Sequence, residues 1–530
     1  MKHNNKTKEK ASGSTAYDRM WASWVDAYRR RPAMFDRWIV VALFVVLFGV
    51  RLHNISIKSE LHSDEVFSLM ISTCDPYYSN EIPDGDYSGA DLKRMIASSA
   101  NDGISGALKD IAQLWHNNGD TPHASLYYMV LRVALIGLDS FDVHSFVMRG
   151  GVVNLLFFVL SFFFMYKLLR RIFGSRSLLV FAGLAMAMGN WMSIRNTLLL
   201  REYQMAETGI IVLTLIGVTL ITKLRNGEPL CRRKFLIGFS LVVAYVISLG
   251  YFNVIYVLLF GVGVIVACLH YDDKKSVLTI VAAEIIAVVV AWLLYPGFFN
   301  FMLHESVHRD KAFELERTGN LLRYVFARDL MLQFFTVYGS VIMLSLLVIV
   351  LVSPNRRQLF HTHNFAWIPV VVLVCMMVIQ YASVLKMPRY YYPLMPVFAL
   401  IVPHVMSAVP KSWTGYFEVL VLLYMPFVVV LFPVHENYGW KPVGKALDRA
   451  ETSFYRLNPN EIVQLVPAMD DERVYSIRNH DRLDLSRDSS FVVTKADVDL
   501  SPDSFAVEKK PLWGKHIFMY KIKYKGGNPE

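Results

Sequence analysis

Apolar and polar positions fall along this chain in long blocks. A bilayer-crossing helix needs ~20 apolar residues. Runs of about that length recur near 38–56, 143–168, 177–193, 204–224, 235–250, 252–270, 276–295, 331–353, 365–385, 391–409 and 416–432. The pattern predicts a polytopic α-helical membrane protein of eleven spans. Segment 124–138 is also apolar, but it holds only 15 residues and follows Pro122-His123. It reads as a short, partly inserted helix on the outer side.

Three polar regions lie between or after these blocks. The first, 57–142, carries helix-like stretches near 61–73, 89–99 and 103–116. The second is 296–330. The third, 433–530, has a helix-like stretch near 441–456 and strand-like stretches at 473–478, 490–494 and 516–524. In the last of these, Tyr520, Ile522 and Tyr524 alternate with Lys521, Lys523 and Lys525, the period of a half-buried strand. The expected organisation is a basic N-terminal segment (1–37), a membrane module (38–432) with outer loops 57–142 and 296–330, and a small C-terminal α/β domain (433–530).

Composition agrees with this. Of 530 residues, 54% are hydrophobic and 18% charged, against about 25% charged in soluble chains. Mean hydropathy is +0.36. Net charge is +10, but its distribution points to topology and away from nucleic acid. Lys2, Lys6, Lys8, Lys10, Arg29, Arg30, Arg31 and Arg37 crowd the N-terminal segment, the positive-inside signal of a cytoplasmic N-terminus. Residues 17–28 read as an interfacial amphipathic helix. No small-residue cleavage site follows the first apolar run, so no cleaved signal peptide is expected. With eleven spans, the clusters Lys167/Arg170/Arg171/Arg176, Arg225/Arg232/Arg233/Lys234, Lys274/Lys275, Arg356/Arg357 and Lys411 all fall inside. The three polar regions then face outside. Of the four cysteines, only Cys74 falls in an outer segment, so no disulfide is expected there.

Chemistry-bearing residues gather on that outer face. Asp64-Glu65 follows the first span. A carboxylate there can deprotonate an acceptor hydroxyl or amine; it can equally cap a helix or close a loop salt bridge. Asp120 and His123 end the same loop, either as a second acid–base pair or as a helix-start signal. Arg201-Glu202-Tyr203 offers a guanidinium fork for phosphate or a snorkelling arginine paired with its neighbour. Lys386-Met387-Pro388-Arg389-Tyr390-Tyr391-Tyr392 offers a lipid-phosphate or sugar site, or an aromatic belt with an anchoring arginine. Arg149, inside the second span, needs a buried partner. His304-Glu305-Ser306-Val307-His308 departs from HExxH and reads as a charged outer loop, with Arg309 and Lys311 as substrate contacts.

Taken in order, Asp64-Glu65, Met148-Arg149-Gly150, Arg171-Ile172-Phe173-Gly174, Arg201-Glu202-Tyr203 and Arg389-Tyr390 resemble the GT-C glycosyltransferases. The similar branch is that of the protein O-mannosyltransferases and the aminoarabinose-to-lipid A transferases. The resemblance covers roughly 38–410. It implies a bacterial plasma-membrane enzyme whose site faces the exterior and takes a sugar from a polyprenyl phosphate to a lipid, protein or glycan acceptor. It implies Asp64 as acceptor-activating base with Glu65 supporting it. It implies Arg201 and Arg389 on the donor phosphate, with Tyr203 and Tyr390 beside them and Arg149 behind. His62, His123, Arg309 and Lys311 remain further substrate-contact candidates. One departure stands out: the family's acid followed by His-Pro-Pro-Leu is here Asp120-Thr121-Pro122-His123-Ala124-Ser125-Leu126, which leaves Asp120 and His123 without a matched role. No cofactor is demanded, because guanidinium groups can balance the phosphate charge. A transporter or flippase of lipid-linked sugar is the alternative from another class, although no internal repeat supports it.

Overall fold

In the computed structural model, the residues described are 32–73, 82–97, 103–117, 125–138, 140–174, 177–228, 232–294, 323–352, 365–383, 387–408, 443, 447, 452–457, 459–478, 490–495, 505–513 and 517–524. The predicted amphipathic stretch 17–28 and the predicted span 416–432 lie outside them.

The chain is an integral membrane protein built mainly of helices. They are α1 (Pro32–Ile57), α2 (Ser63–Thr73), α3 (Gly89–Ile96), α4 (Gly103–Asn117), α5 (Ser125–Ala134), α6 (Val143–Phe173), α7 (Ser177–Gly189), α8 (Trp191–Leu198), α9 (Tyr203–Arg225), α10 (Arg232–Ile247), α11 (Asn253–His270) and α12 (Lys274–Leu294). A π-helical stretch Arg323–Phe334 precedes α13 (Thr336–Val352). Then come α14 (Trp367–Ala382), a 3₁₀ stretch Pro388–Leu394, α15 (Met395–Phe398) and α16 (Ile401–Ala408). Six of the described helical segments are long and apolar enough to cross a membrane, seven with the bent pair α7–α8. Their outer faces stay apolar and exposed: Val45 and Val46 on α1, Leu156 and Phe163 on α6, Val262 and Val266 on α11, Ile285 and Val289 on α12. That is the pattern of a surface solvated by lipid tails.

α5 has 10 residues, about 15 Å at helical rise, half a hydrocarbon core. It packs against α2, α4 and α6. Its Arg132 is wholly buried against Asp110 of α4. α5 is shorter than the spans around it.

The three helices expected in the first outer loop are present as α2, α3 and α4. The C-terminal region differs in two respects. The predicted helix over 441–456 gives way at its end to a strand, β2 (Thr452–Tyr455), where Thr452 and Phe454 are buried and Ser453 and Tyr455 are not. The region also does not close its sheet alone. β3 (Val474–Arg478), β4 (Ser490–Lys495), β5 (Phe505–Trp513) and β6 (Ile517–Tyr524) join β2 and β1 (Gly85–Ser88) in the order β1-β3-β2-β4-β6-β5. β2 pairs in parallel with β3 and β4, and the other pairs are antiparallel. β1 comes from segment 57–142 and covers the β3 edge. Asp86 accepts from Ser476 Oγ (2.6 Å) and Arg478 Nη2 (2.7 Å) across the pair. Beside it, a Cβ on Gly89 would lie 2.0 Å from the Asp470 carbonyl, so only glycine permits this approach. α17 (Pro459–Leu465) in turn touches α2. The described parts of segment 57–142 and of the C-terminal region thus pack together through β1 and α17.

Candidate active site around Asp64

α2 opens with Ser63-Asp64-Glu65, whose carboxylates suit the positive end of the helix dipole. The two acids meet different fates. Glu65 is wholly buried. It accepts from Lys58 Nζ, from the Leu200 amide (2.8 Å) and from the His62 amide (2.7 Å). Lys58 also donates to the Leu198 carbonyl (2.8 Å). Together they staple the 198–200 turn against α2. Glu65 is therefore a positioning residue: its oxygens are occupied inside the protein.

Asp64 keeps 23% of its side chain exposed. Arg389 Nη1 lies 2.9 Å from its Oδ2, and His62 Nδ1 lies 3.5 Å from its Oδ1. Arg389 Nη1 is also 3.4 Å from His62 Nε2. The Asp64 amide in turn donates to His62 Nδ1 (3.1 Å). Arg201 Nη1 donates to the Asp64 carbonyl (3.3 Å) and Ser68 Oγ (3.4 Å), and its Nε lies 3.3 Å from Glu202 Oε2. Burial opposes ionisation of Asp64. The His62 bond and the Arg201 and Arg389 charges outweigh it and hold the carboxyl well below the usual carboxylate range.

Several elements deliver these groups to one place. The α7–α8 pair bends by 49° at Asn190, whose amide donates to the carbonyls of Met186 (2.8 Å) and Ala187 (2.9 Å). The bend turns the end of α8 toward Glu65, and Arg201 follows at once. Asn154 of α6 satisfies the carbonyls of Thr197 (3.1 Å) and Leu199 (2.8 Å) in the same turn. On the other side, the 3₁₀ stretch that carries Arg389 is pinned by its tyrosines. Tyr391 donates to Asp329, and Tyr392 hydroxyl accepts from Arg195 Nη1 (3.3 Å). Both tyrosines are buried, so the aromatic-belt reading does not describe them. Tyr390 instead lies beside Arg389, whose Cζ is 5.9 Å from its ring centre.

Tyr203, Glu202 and Tyr390 line a narrow cleft with Tyr251 and Phe252. Asp64, His62, Arg201 and Arg389 stand together, with Tyr203 and Tyr390 beside them. Arg149 does not join the cluster; its Nη1 donates to the Ile136 carbonyl (2.5 Å). Asp120, His123, Arg309 and Lys311 lie outside the described residues, as do His304, Glu305 and His308. Among the described residues, no three His, Cys, Asp or Glu side chains gather as a metal-binding group.

Lys58, Ser68, Arg195 and Asp329 are the supporting residues that sequence reasoning misses. Arg195 alone left a signal: Trp191 precedes it by one helical turn, and the guanidinium lies 5.1 Å from that ring.

No protein-family model and no curated protein matches the chain. Solved structures do. The apo state of ArnT from Cupriavidus metallidurans aligns at TM-score 0.50 and 13% identity, covering 91% of this chain and 97% of that one. The same protein bound to undecaprenyl phosphate aligns at TM-score 0.48 and 11% identity, with the same coverage. The chain has a GT-C-like fold.

Proposed function

We propose that the chain is a glycosyltransferase that moves a sugar from a polyprenyl-phosphate donor to an extracytoplasmic acceptor by inverting displacement. The observation that carries this reading is Asp64: a half-open carboxylate held ionised between two arginines, beside an aromatic cleft, while its neighbour Glu65 is sealed inside. The fold likeness is an analogy; the residues supply the chemistry. The reading includes eleven spans, a cytoplasmic N-terminus and a site on the outer face.

Arg389 and Arg201 take the donor phosphate. Phosphate drawn onto Arg389 leaves Asp64 less compensated, so the carboxylate becomes a stronger base as the donor binds. The acceptor oxygen then attacks the anomeric carbon while Asp64 takes its proton. The bond from that carbon to the phosphate oxygen breaks, and its electron pair leaves on the polyprenyl phosphate. Fixed guanidinium groups stabilise the charge in a site shielded from water. No cofactor is part of this proposal. The acceptor class stays open among lipid, protein and glycan.

A flippase of the same lipid is favoured by one observation, the broken helix pair α7–α8. Purified protein in vesicles with a polyprenyl phosphate carrying a radiolabelled sugar separates the two. Release or transfer of the sugar supports the transferase. Passage of intact lipid across the bilayer, with the sugar still attached, selects the flippase.

A further inference from the structure

Two carboxyl groups inside the membrane spans have opposite surroundings. Glu207 of α9 is wholly buried and accepts from Asn196 (2.8 Å) and Gln204 (3.0 Å). Glu284 stands at the centre of α12, ten residues from Lys274 and ten from Leu294. At helical rise that is about 15 Å from either end. A hydrocarbon core is ~30 Å thick, so Glu284 lies near its midplane. Its Oε1 is buried yet meets no hydrogen-bond donor among the described residues. Space for it comes from α11: a Cβ on Gly261 would lie 2.2 Å from Oε1, so the glycine admits the carboxyl between the two helices. The side chain is not sealed there. Glu284 is half-buried. Val281 and Val288, its neighbours on the same face of α12, are exposed, and so is Leu258, one turn before Gly261. Ionisable residues at this depth face a bundle interior or pair with one another. Glu284 lies instead at the lipid-facing edge of α11 and α12, with nothing among the described residues to answer it.

We propose that this face docks a second copy of the chain, with the two Glu284 carboxyls hydrogen-bonded to each other. A neutral carboxyl carries one O–H donor and a free acceptor oxygen, so it is complementary to itself. A two-fold interface demands that property, because each patch meets its own copy. Two copies inserted the same way round hold each residue at equal depth. The polar group that a second copy must present at this level is therefore Glu284 itself. Membrane helices associate through packing and interhelical hydrogen bonds. Val281 and Val288, three before and four after Glu284, supply the packing, and the carboxyls supply the bonds. A lipid tail, which has no donor, would leave Oε1 unsatisfied.

The test uses full-length protein in vesicles of phosphatidylethanolamine and phosphatidylglycerol. Copies carrying a donor or an acceptor fluorophore are mixed, and energy transfer is followed as the vesicles are diluted with lipid. The wild type, Glu284→Gln and Glu284→Leu are compared, with thermal melting to check folding. Glutamine is also donor and acceptor at once. Glu284→Gln should therefore associate within about threefold of the wild type, and Glu284→Leu about tenfold or more weakly, on the scale of a lost interhelical hydrogen bond. In a cysteine-free background, oxidation should link Val288→Cys copies and leave Phe163→Cys copies, altered on the exposed face of α6, unlinked. That arm keeps Glu284 and decides the matter if Glu284→Leu does not fold. None of these readouts depends on sugar transfer. A wild type that stays monomeric, or association that Glu284→Leu keeps, overturns the proposal. So does a loss in Glu284→Gln as large as in Glu284→Leu, and so does linkage at Phe163→Cys instead of Val288→Cys.

Discussion

Two polar clusters of this molecule use the same residue types and do different things. One is the Asp64 cluster. The other lies among α1, α6, α8 and α9 and is centred on Arg51. Arg51 donates to the Met188 carbonyl (2.6 Å), Thr197 Oγ1 (2.9 Å) and Ser193 Oγ (3.2 Å), and packs 3.9 Å from the Phe158 ring centre. Thr197 passes the chain to Gln204 (2.6 Å), Gln204 to Glu207 (3.0 Å), and Asn196 also donates to Glu207 (2.8 Å). All of these side chains are buried. The network is closed: its charges answer one another inside the bundle and tie α8 to α1 and α9. The Asp64 cluster is open. Asp64 and Arg389 keep 23% and 20% of their side chains exposed, and their ion pair can be exchanged for a ligand. An arginine and an acid close together therefore do not define a site; exposure and exchangeable partners do.

The sharpest way to break the comparison is to remove one member of each cluster. Arg51→Met leaves Glu207 buried without its cation and strips donors from three acceptors. Breaking a buried charged network in this way costs about 3–5 kcal/mol, so the variant should lose its folded yield in detergent. A fully stable Arg51→Met would show that the network is not what holds α8 in place.

Smaller effects probe the open cluster. Arg389→Lys and Arg201→Lys keep charge but lose the planar fork. Each should weaken farnesyl phosphate binding by about tenfold, on the scale of a lost charge-assisted hydrogen bond, with melting unchanged. Normal binding in both would return these arginines to a structural role.

The pH profile separates free from loaded enzyme. Asp64 is held below the ordinary carboxylate pKa of about 3.9. It therefore stays ionised as pH falls through that range, and kcat/KM should show no acid limb from it above about pH 4.5. Its stabilising contribution is likewise complete above the unfolded pKa and lost only as pH falls through the lower folded value. The kcat limb, which reports the donor-bound enzyme, should sit at higher pH, because the donor phosphate draws Arg389 away. Coincident limbs would mean that the ion pair survives donor binding.

The mildest test leaves activity alone. Glu472, exposed on the turn before β3, becomes cysteine in a cysteine-free background. A membrane-impermeant thiol reagent should label it in intact cells. Labelling only after lysis would put the sheet, and the Asp64 cluster that α2 shares with it, on the inner face.

Much of this architecture is legible in the sequence because membrane spans carry a strong apolar signal. The amphipathic outer helices are legible too: α4 starts at Gly103, as its pattern predicts. β1 is not. Gly85-Asp86-Tyr87-Ser88 shows no apolar alternation, and its partner lies almost the whole chain away. Asp64, Arg201 and Arg389 stand out because ions at a membrane boundary are rare. The separate fates of Asp64 and Glu65 are invisible, since adjacent helix residues point in different directions only once the neighbours are placed. Lys58 carries no signal in the sequence; only the fold brings the 198–200 turn against it. Tyr391 and Tyr392 read equally as part of a phosphate or sugar site and as an aromatic belt until Asp329 and Arg195 are found behind them.

The central claim is that Asp64 is the base, and its most direct measurement is transfer of labelled sugar by Asp64→Asn. Asparagine keeps the shape and cannot take the proton. The account predicts transfer reduced by about 10²-fold or more, with melting near wild type and farnesyl phosphate binding retained. A folded Asp64→Asn protein that transfers sugar at the wild-type rate would contradict it.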